Sequence, residues 1–171
     1  MIVSEITQKT LTELVGKCFE MNRFLDRWCS VVGVKFAYNN TADLVHKYIS
    51  HWAPLLADDI TSKCLERYNI PVYYPATPSG GQDYSSVQEA IKDMEQYIID
   101  FQIIFMGACK IANTNNDIHV YADLLDMLED INEVVEQAIL LSDKIDIYGT
   151  NPSFDKHIAE GTSFWILGND D

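Results

Sequence analysis

The residues best suited to chemistry in this sequence are carboxylates and histidines that could bind a metal ion. Asp43 and His46 form an Asp-x-x-His pair near the start of a predicted helix. A three-residue spacing places both side chains on one face of a helix, so the two could share a metal ion. The alternative is a helix-start aspartate beside a partly exposed histidine, and the sequence leaves both interpretations open.

Three more aspartates are candidate ligands on the first two predicted helices. Asp58 and Asp59 lie inside the second helix, and Asp26 lies in the first. Adjacent carboxylates cannot share one helix face, so at most one of Asp58 and Asp59 points inward, where it would need a partner or a metal. Each of the three also fits a carboxylate at the rim of the core. The candidate metal ligands are therefore Asp26, Asp43, His46, Asp58 and Asp59.

The sequence lacks the marks of several other kinds of site. The four cysteines are far apart and form no CxxC pair, so buried free thiols are expected rather than a zinc site. No glycine-rich phosphate loop is present. His51 has no acidic residue three or four positions away. An acidic row on the fourth predicted helix is expected to be its solvated face. This row consists of Asp126, Glu129, Asp130, Glu133 and Glu136.

The chain is strongly acidic, with 12 Lys and Arg against 26 Asp and Glu, a formal net charge of −14 and a pI of about 4.4. Such a surface repels phosphate backbones, so direct DNA binding is not expected, whereas cations or a basic partner are favoured. No apolar stretch approaches the roughly 20 residues of a membrane span. The N-terminal residues lack the basic region of a signal peptide. We therefore expect a cytoplasmic protein without membrane contact.

Hydrophobic periodicity of about 3.6 residues predicts four long amphipathic helices. They cover about residues 4–32, 41–68, 86–112 and 118–147. A length of 171 residues and a hydrophobic fraction of 47% fit one domain with an ample core. We predict an all-α protein, an up-down four-helix bundle with one long crossover between helices 2 and 3, formed by residues 1–149.

Local signals mark the ends of these helices. Gly33 is predicted to end the first helix, and Thr41 is predicted to cap the second. Ser86 and Glu89 fit a capping box at the start of the third. Pro54 should kink the second helix because it removes one backbone hydrogen bond, with two shorter helices as the alternative.

The crossover and the C-terminal tail carry aromatic residues. Residues 69–84 hold three prolines and two adjacent glycines, so they are predicted to form a loop across the outside of the bundle. Its Tyr73, Tyr74 and Tyr84 suit subunit contacts but could equally cap the core of a monomer. Residues 150–171 are predicted to dock on the bundle or on a neighbouring subunit. The tail residues expected to make this contact are Phe154, Phe164, Trp165 and Ile166.

One stretch of the sequence resembles a known family. Residues 58–77 read DDITSKCLERYNIPVYYPAT. They are similar to the end of the second helix and the following loop of Dps-type mini-ferritins, in the ferritin-like superfamily. Trp28, Gly33 and Phe36 also resemble the residues that follow the first-helix histidine of that family. The similarity covers about residues 8–147, with the third and fourth helices matching by pattern alone, and implies a divergent member with a ferritin-like bundle.

The resemblance implies a hollow shell of identical subunits, such as a dodecamer, that oxidises and stores iron at a site between two subunits. When the family's metal-ligand positions are placed on this sequence, only Asp58 is the same residue as the ligand of the family. Asp43 stands near its second-helix histidine. Lys47 and Ser62 stand where acids are expected, and Arg27 replaces the first-helix histidine. Cationic side chains repel a metal ion, so the resemblance implies a divergent or lost ferroxidase site.

Three functions follow from these observations. The first is a Dps-like or ferritin-like shell-forming protein that binds or stores iron or protects against stress, with a divergent or lost ferroxidase site. The second is an iron(II) oxidase of ferritin type that uses a rearranged site built from the five candidate ligands. The third is an acidic helical interaction module that binds a basic partner without catalysis. We favour the first.

Overall fold

Four long helical stretches pack side by side in the computed structural model, which describes residues 2–160. The first is α1 (Glu5–Phe36). The second is composite: α2 (Asn39–Val45), a π-helical turn (His46–Ser50), α3 (Trp52–Ile60), a second π-helical turn (Thr61–Leu65) and a 3-10 turn (Glu66–Tyr68). The remaining stretches are α4 (Val87–Thr114) and α5 (Ile118–Tyr148), followed by the short α6 (Asp155–Ala159). The predicted all-α bundle with its long crossover is confirmed.

The end of α1 differs from its prediction. Gly33 lies inside the helix, which continues to Phe36 and ends at Ala37 with a φ of 62°. A Cβ atom on Gly33 would stand 3.3 Å from Asn39 Oδ1 and 3.5 Å from Ala42 Cβ. The glycine therefore permits close packing of α1 against α2, and the prediction that it stops the helix is wrong.

The start of α2 is capped by a residue distant in sequence. Thr41, predicted to be the cap, lies inside the helix and is buried. The Asp155 carboxylate of α6 accepts hydrogen bonds from the backbone N–H of Asn40 (2.8 Å) and of Thr41 (2.9 Å). The Thr41 hydroxyl also donates to Asp155, at 2.7 Å. The local capping prediction is wrong because this tertiary contact satisfies the free N–H groups of the helix.

The crossover runs along the outer face of α1. Residues 70–84 have no regular secondary structure. Pro75 Cγ lies 2.5 Å from where a Cβ on Gly16 would stand. Further along, Arg27 Nε donates a hydrogen bond to the carbonyl of Gln82, at 2.9 Å. This path returns the chain to the end of the bundle where α2 begins, so α1 pairs antiparallel with the second stretch and α4 with α5.

The core is formed by apolar stripes from all four stretches. The predicted cap of α4 is confirmed, because Ser86 Oγ accepts a hydrogen bond from the Glu89 N–H at 3.1 Å. Leu125 and Ile139 fit the apolar periodicity of α5, but they are exposed. The buried face of α5 includes Leu124, Met127, Ile131, Val134, Ala138, Leu141 and Ile145. The apolar residues of α5 cover more than one face, so the pattern alone does not define which face is buried.

The described part of the tail docks on the bundle. Ile158 of α6 is fully buried, and α6 packs against α2 and α5. The Phe154 ring lies 5.7 Å from the Tyr148 ring, centroid to centroid. The other tail residues of the prediction, Phe164, Trp165 and Ile166, lie outside the described residues. Among the helices that the structure describes, none is long and apolar enough to cross a membrane.

Candidate functional site

Two of the five candidate ligands meet where α1 faces the first π-helical turn. His46 Nε2 lies 3.6 Å from Asp26 Oδ1, and both side chains are about half exposed. Ser50, which is buried, donates a hydrogen bond from its hydroxyl to the same Asp26 oxygen, at 2.5 Å. The result is a small polar cluster at the surface, with one carboxylate, one imidazole and one hydroxyl.

Pro54 and the π-helical turn position this cluster. Proline has no N–H, so the Ser50 carbonyl loses the donor that a regular helix would supply four residues later. The side-chain amide of Asn22 on α1 donates to that carbonyl instead, at 2.9 Å. The helix relaxes before the proline, and the His51 N–H donates to the His46 carbonyl at 3.2 Å, in the i to i+5 pattern of a π-helix.

His51 belongs to this cluster although the sequence reasoning passed it over. Its ring lies 4.3 Å from the His46 ring, centroid to centroid, in an edge-to-face arrangement. A five-residue spacing does not align two side chains on a regular α-helix, but the extra residue of the π-turn brings them together. The signal available in the sequence was Pro54, which marks an interruption without giving its geometry.

The other candidate ligands lie elsewhere on the surface. Asp59 forms an ion pair with Lys63 at 3.2 Å. It follows His46 by thirteen residues, which corresponds to about 20 Å of helix. Asp58 is exposed, and Asp43 lines a shallow depression between α2 and α6. The five predicted ligands therefore do not converge on one point.

The interior of the bundle does not fit an iron ion. Ferritin-type bundles bind metal through glutamates and histidines that project inward from facing helices. Here most of the fully buried positions are apolar, among them Met21, Leu25, Ile49, Ala53, Met94, Ile98, Phe105, Leu124 and Ile131. The buried uncharged polar residues offer no carboxylate or imidazole, and they are Thr7, Thr41, Ser50, Thr61, Gln137 and Ser142. Among residues 2–160, the buried charged side chains are Asp117 and Asp155, both at helix ends, and no group of three or more His, Cys, Asp or Glu is placed to hold a metal ion.

Two carboxylates of α5 depart from the solvated face predicted for them. Asp130 and Glu133 are half-buried, whereas the rest of the acidic row is exposed. Burial raises the pKa of Asp130, and the charge of Asp59 adds to the rise. Burial also raises the pKa of Glu133, with further contributions from Asp130 and Glu129. Glu133 Oε2 is buried without a hydrogen-bond partner in the described part of the chain, so negative charge accumulates in this seam.

The cysteines carry no activated thiol. All four are buried and unpaired by disulfides, as predicted. Burial raises the pKa of Cys29 to about 12 and that of Cys109 to about 11. Burial likewise raises the pKa of Cys64 to about 12. Thiols in this state stay protonated near neutral pH and are poor nucleophiles and poor metal ligands.

The helix order, the antiparallel pairs and the single long crossover define a four-helix bundle of ferritin type. No family model matches the sequence, and no curated protein matches it. The structure is similar to an open pore ferritin from the hyperthermophilic archaeon Archaeoglobus fulgidus, with a TM-score of 0.85 and 12% identity over 93% of this chain and 98% of that one. It is also similar to a closed form of that ferritin engineered by mutagenesis, with a TM-score of 0.84 and 12% identity over 92% and 97% of the two chains.

This likeness shows that the chain has a ferritin-like fold. At 12% identity the two sequences share little beyond the pattern of their helices. The fold alone does not carry an activity, because function depends on the residues of the site.

Proposed function

We propose that this chain is a cytoplasmic, Dps-like or ferritin-like subunit that assembles into a closed shell and has lost the ferroxidase site of ferritins. In iron storage or stress protection, the chain then acts as a subunit of the shell and does not oxidise iron. The observation that carries this proposal is the apolar interior of a ferritin-like bundle, where inward ligands would be needed. The ferritin-like fold supports the assembly part.

The residues at the family's ligand positions support the loss of the site. Arg27 replaces a histidine and is engaged in holding the crossover through its hydrogen bond to the Gln82 carbonyl. Lys47 is exposed, with its ammonium 4.9 Å from the centre of the Tyr48 ring. Asp58, the one outright match, is exposed and forms no ion pair within the described residues. A cation is repelled by the first two groups and held weakly by a single carboxylate.

A second candidate function is an acidic interaction module that binds a basic partner without catalysis. The observation that favours it is the charge of residues 87–160, which contain fifteen Asp and Glu against four Lys and Arg. Such a surface attracts a cationic protein from a distance. In this case the chain would act as a monomer or small oligomer.

The first experiment is the native mass in solution, measured by light scattering. We expect a closed shell of about twelve copies of the 19.5 kDa chain, since identical subunits with the right contacts close by rotational symmetry. A monomer or a dimer at all concentrations tested would contradict the shell and leave the interaction module as the better explanation.

The second experiment measures iron(II) oxidation in air. We expect the protein to oxidise iron no faster than buffer, and Asp58→Ala and His46→Ala to leave the rate unchanged. Asp126→Ala, an exposed carboxylate on α5, is the control for surface charge. Rapid oxidation that is lost in Asp58→Ala or His46→Ala but kept in Asp126→Ala would overturn the lost-site proposal in favour of a rearranged ferroxidase site.

A further inference from the structure

The antiparallel helices α4 and α5 meet at the surface along a seam that two side-chain contacts mark. Lys92 Nζ donates a hydrogen bond to the Asp146 carboxylate, at 2.8 Å. Further along the seam, the Gln102 amide donates to Asn132 Oδ1, at 2.7 Å. Residues three or four positions from one of these four side chains lie on the same side of their helix, so the two contacts define which residues border the seam.

Apolar side chains follow the seam on both helices at three- and four-residue steps. They are Ile99, Ile103 and Met106 of α4 with Leu125, Leu128 and Ile139 of α5. Ile103 is 55% exposed and Met106 is 42% exposed, whereas Ile99 and Leu128 are partly buried and pack on the core. We call these six residues the seam face. It is an apolar strip that is continuous with the core and open to solvent.

The shape of the seam face suits a helix. From Leu125 to Ile139 it extends over fourteen residues of α5, which is about 21 Å of helix. Two helices lying side by side leave a shallow groove between them, and an amphipathic helix can lay its apolar side chains into such a groove. Met106 adds an unbranched, polarizable side chain that adapts to the shape of a partner.

The border of the seam face is acidic. The carboxylates three or four positions from the residues of the two seam contacts are Glu95, Glu129, Glu136, Asp143 and Asp146 itself. Two lysines border the same face. Lys92 is already engaged, with its ammonium 2.8 Å from Asp146 and 3.9 Å from Glu95, and Lys110 follows Met106 by four residues. Five carboxylates against two ammonium groups leave the border with a net negative charge.

Charge and apolar surface together select the kind of partner. A second copy of this face would bring the same negative charge against it, because a two-fold contact places identical patches together. Phosphate backbones and anionic lipid surfaces are repelled for the same reason. A helix with apolar residues on one side and Lys or Arg along its flanks matches both features, since its apolar side fills the groove and its cations meet the border.

We propose that the seam face binds a cationic amphipathic helix of another protein. The inference rests on the second candidate function, the acidic interaction module, and deepens it by naming the surface that binds and the chemistry of the partner. It does not require the chain to assemble with itself.

The probe is a dye-labelled synthetic peptide of about 14 residues, made of Leu and Lys with Leu at three- and four-residue steps. One control peptide has the same composition in an order without an apolar side, and a second has Glu in place of Lys. Fluorescence anisotropy at physiological salt measures the dissociation constants. We expect the amphipathic Leu-Lys peptide to bind about tenfold more tightly than either control, because only this peptide matches both the groove and its border.

A pair of apolar substitutions locates the binding surface. Ile103→Ser lies in the seam face, and Leu55→Ser lies on α3 at similar exposure, 50% against 55% for Ile103. We expect Ile103→Ser to weaken binding of the Leu-Lys peptide about fivefold, because apolar area that the complex would bury is lost. Leu55→Ser should leave the dissociation constant unchanged.

A pair of charge substitutions tests the border. Asp143→Asn and Asp126→Asn each remove one exposed carboxylate from α5, but Asp126 is six residues from Asn132 and so lies on another side of the helix. We expect Asp143→Asn to weaken binding about threefold at low salt and less at high salt, and Asp126→Asn to have a smaller effect. All four variants change exposed side chains, so circular dichroism should show unchanged helix content.

The remaining outcomes overturn the inference in distinguishable ways. If the Leu-Lys peptide binds no more tightly than its reordered control, or if Leu55→Ser weakens binding as much as Ile103→Ser, the seam face is wrong while the acidic interaction module stands. If no cationic peptide binds, or if the Glu peptide binds equally well, the module fails and the seam face fails with it. The shell is decided separately by the native mass, so a closed shell that binds no peptide would keep the first proposal and reject this one.

Discussion

The two layers of this bundle are residues 2–86, with α1 to α3 and the crossover, and residues 87–160, with α4 to α6. Both contribute apolar residues to the core, but the first layer holds eight basic and nine acidic residues, whereas the second holds four basic and fifteen acidic residues. In the first layer, neutral groups and balanced charges link the helices, as in the hydrogen bond from the Asn22 amide to the Ser50 carbonyl. In the second layer, Asp130 and Glu133 lie half-buried without an ion-pair partner among residues 2–160, and burial raises the pKa of both carboxyls. The comparison shows that the surface charge of two halves of one domain can differ although both pack into the same core. A difference in surface charge can therefore separate one interaction surface from another.

Two carboxylates of the second layer, Asp117 and Asp155, nevertheless join the layers. They accept hydrogen bonds from residues at the starts of helices in the first layer. Asp155 accepts hydrogen bonds at the start of α2, and Asp117 accepts them from the Ser4 N–H (3.1 Å) and the Ser4 hydroxyl (2.6 Å) at the start of α1. Burial raises the pKa of Asp117, but hydrogen bonds from Ser4 and Thr7 outweigh burial and lower it overall. Asp117 therefore contributes stability above its ordinary pKa of 3.8, and that stability is lost as the pH falls below it.

The largest effect is expected from breaking the link between the layers at Asp155. Asp155→Ala removes four hydrogen bonds and leaves the N–H groups of Asn40 and Thr41 without their acceptor. We expect the free energy of unfolding to fall by about 3 kcal/mol, because hydrogen bonds to a charged group are strong and the exposed end of α2 loses its cap. Urea unfolding followed by circular dichroism measures the change.

Asp126→Ala is the matched control for Asp155→Ala. Asp126 is an exposed aspartate on α5, and its removal should change the free energy of unfolding by less than about 0.5 kcal/mol. Equal effects of the two substitutions would show that Asp155 does not hold α6 and α2 together.

A smaller effect is expected within the first layer, where the crossover lies on α1. A Cβ atom on Gly80 would stand 2.7 Å from the Arg23 carbonyl oxygen, whereas one on Gly81 would meet nothing within 4 Å. Gly80→Ala should therefore destabilise the protein by about 1–2 kcal/mol, since a backbone atom has to move. Gly81→Ala should have no more than a small effect. A chemical unfolding series on the two variants decides this, and identical midpoints would mean that the crossover does not depend on that contact.

The smallest effect on the free energy of unfolding is expected at Glu133, in the acidic second layer. Because the pKa of Glu133 is raised from its ordinary 4.5, the folded protein disfavours its charged form. Its charge therefore costs stability at neutral pH, and that cost disappears as the pH falls through the raised pKa. We expect Glu133→Gln to raise the free energy of unfolding at pH 7 by up to about 1 kcal/mol and to have little effect near pH 4.

Glu136→Gln is the control for Glu133→Gln. Glu136 lies on the same helix but is exposed, so its neutral variant should gain less stability at pH 7. Thermal unfolding of both variants at several pH values gives the comparison. A loss of stability in Glu133→Gln at pH 7 would mean that the Glu133 carboxylate has a partner that favours its charge.

Much of the architecture could be predicted because it depends on neighbours in sequence. The cap at Ser86 and the interruption before Pro54 follow from local backbone hydrogen bonding, and both are present. Gly33 and Thr41 were misjudged for one common reason. At each position a contact with another helix, and not the local sequence, decides the conformation.

The candidate site was harder to predict than the helices. The pairing of Asp26 with His46 needs two helices at the correct rotation and height, and the entry of His51 needs a π-turn. Asp43, Asp58 and Asp59 were grouped with them by residue type, but they lie at separate points of the surface. Residue types identify possible ligands, whereas convergence is a property of the packed structure.

By itself the sequence determined that this protein is all-α, since the 3.6-residue period of its apolar residues is a local property. It also determined where charge lies along the chain, with a net charge of −1 over residues 2–86 and of −11 over residues 87–160. Only the tertiary structure decided that Asp155 caps a helix 115 residues away and that the interior closes without inward ligands. Contacts at such separations depend on how whole helices rotate and pack against each other, which local periodicity leaves open.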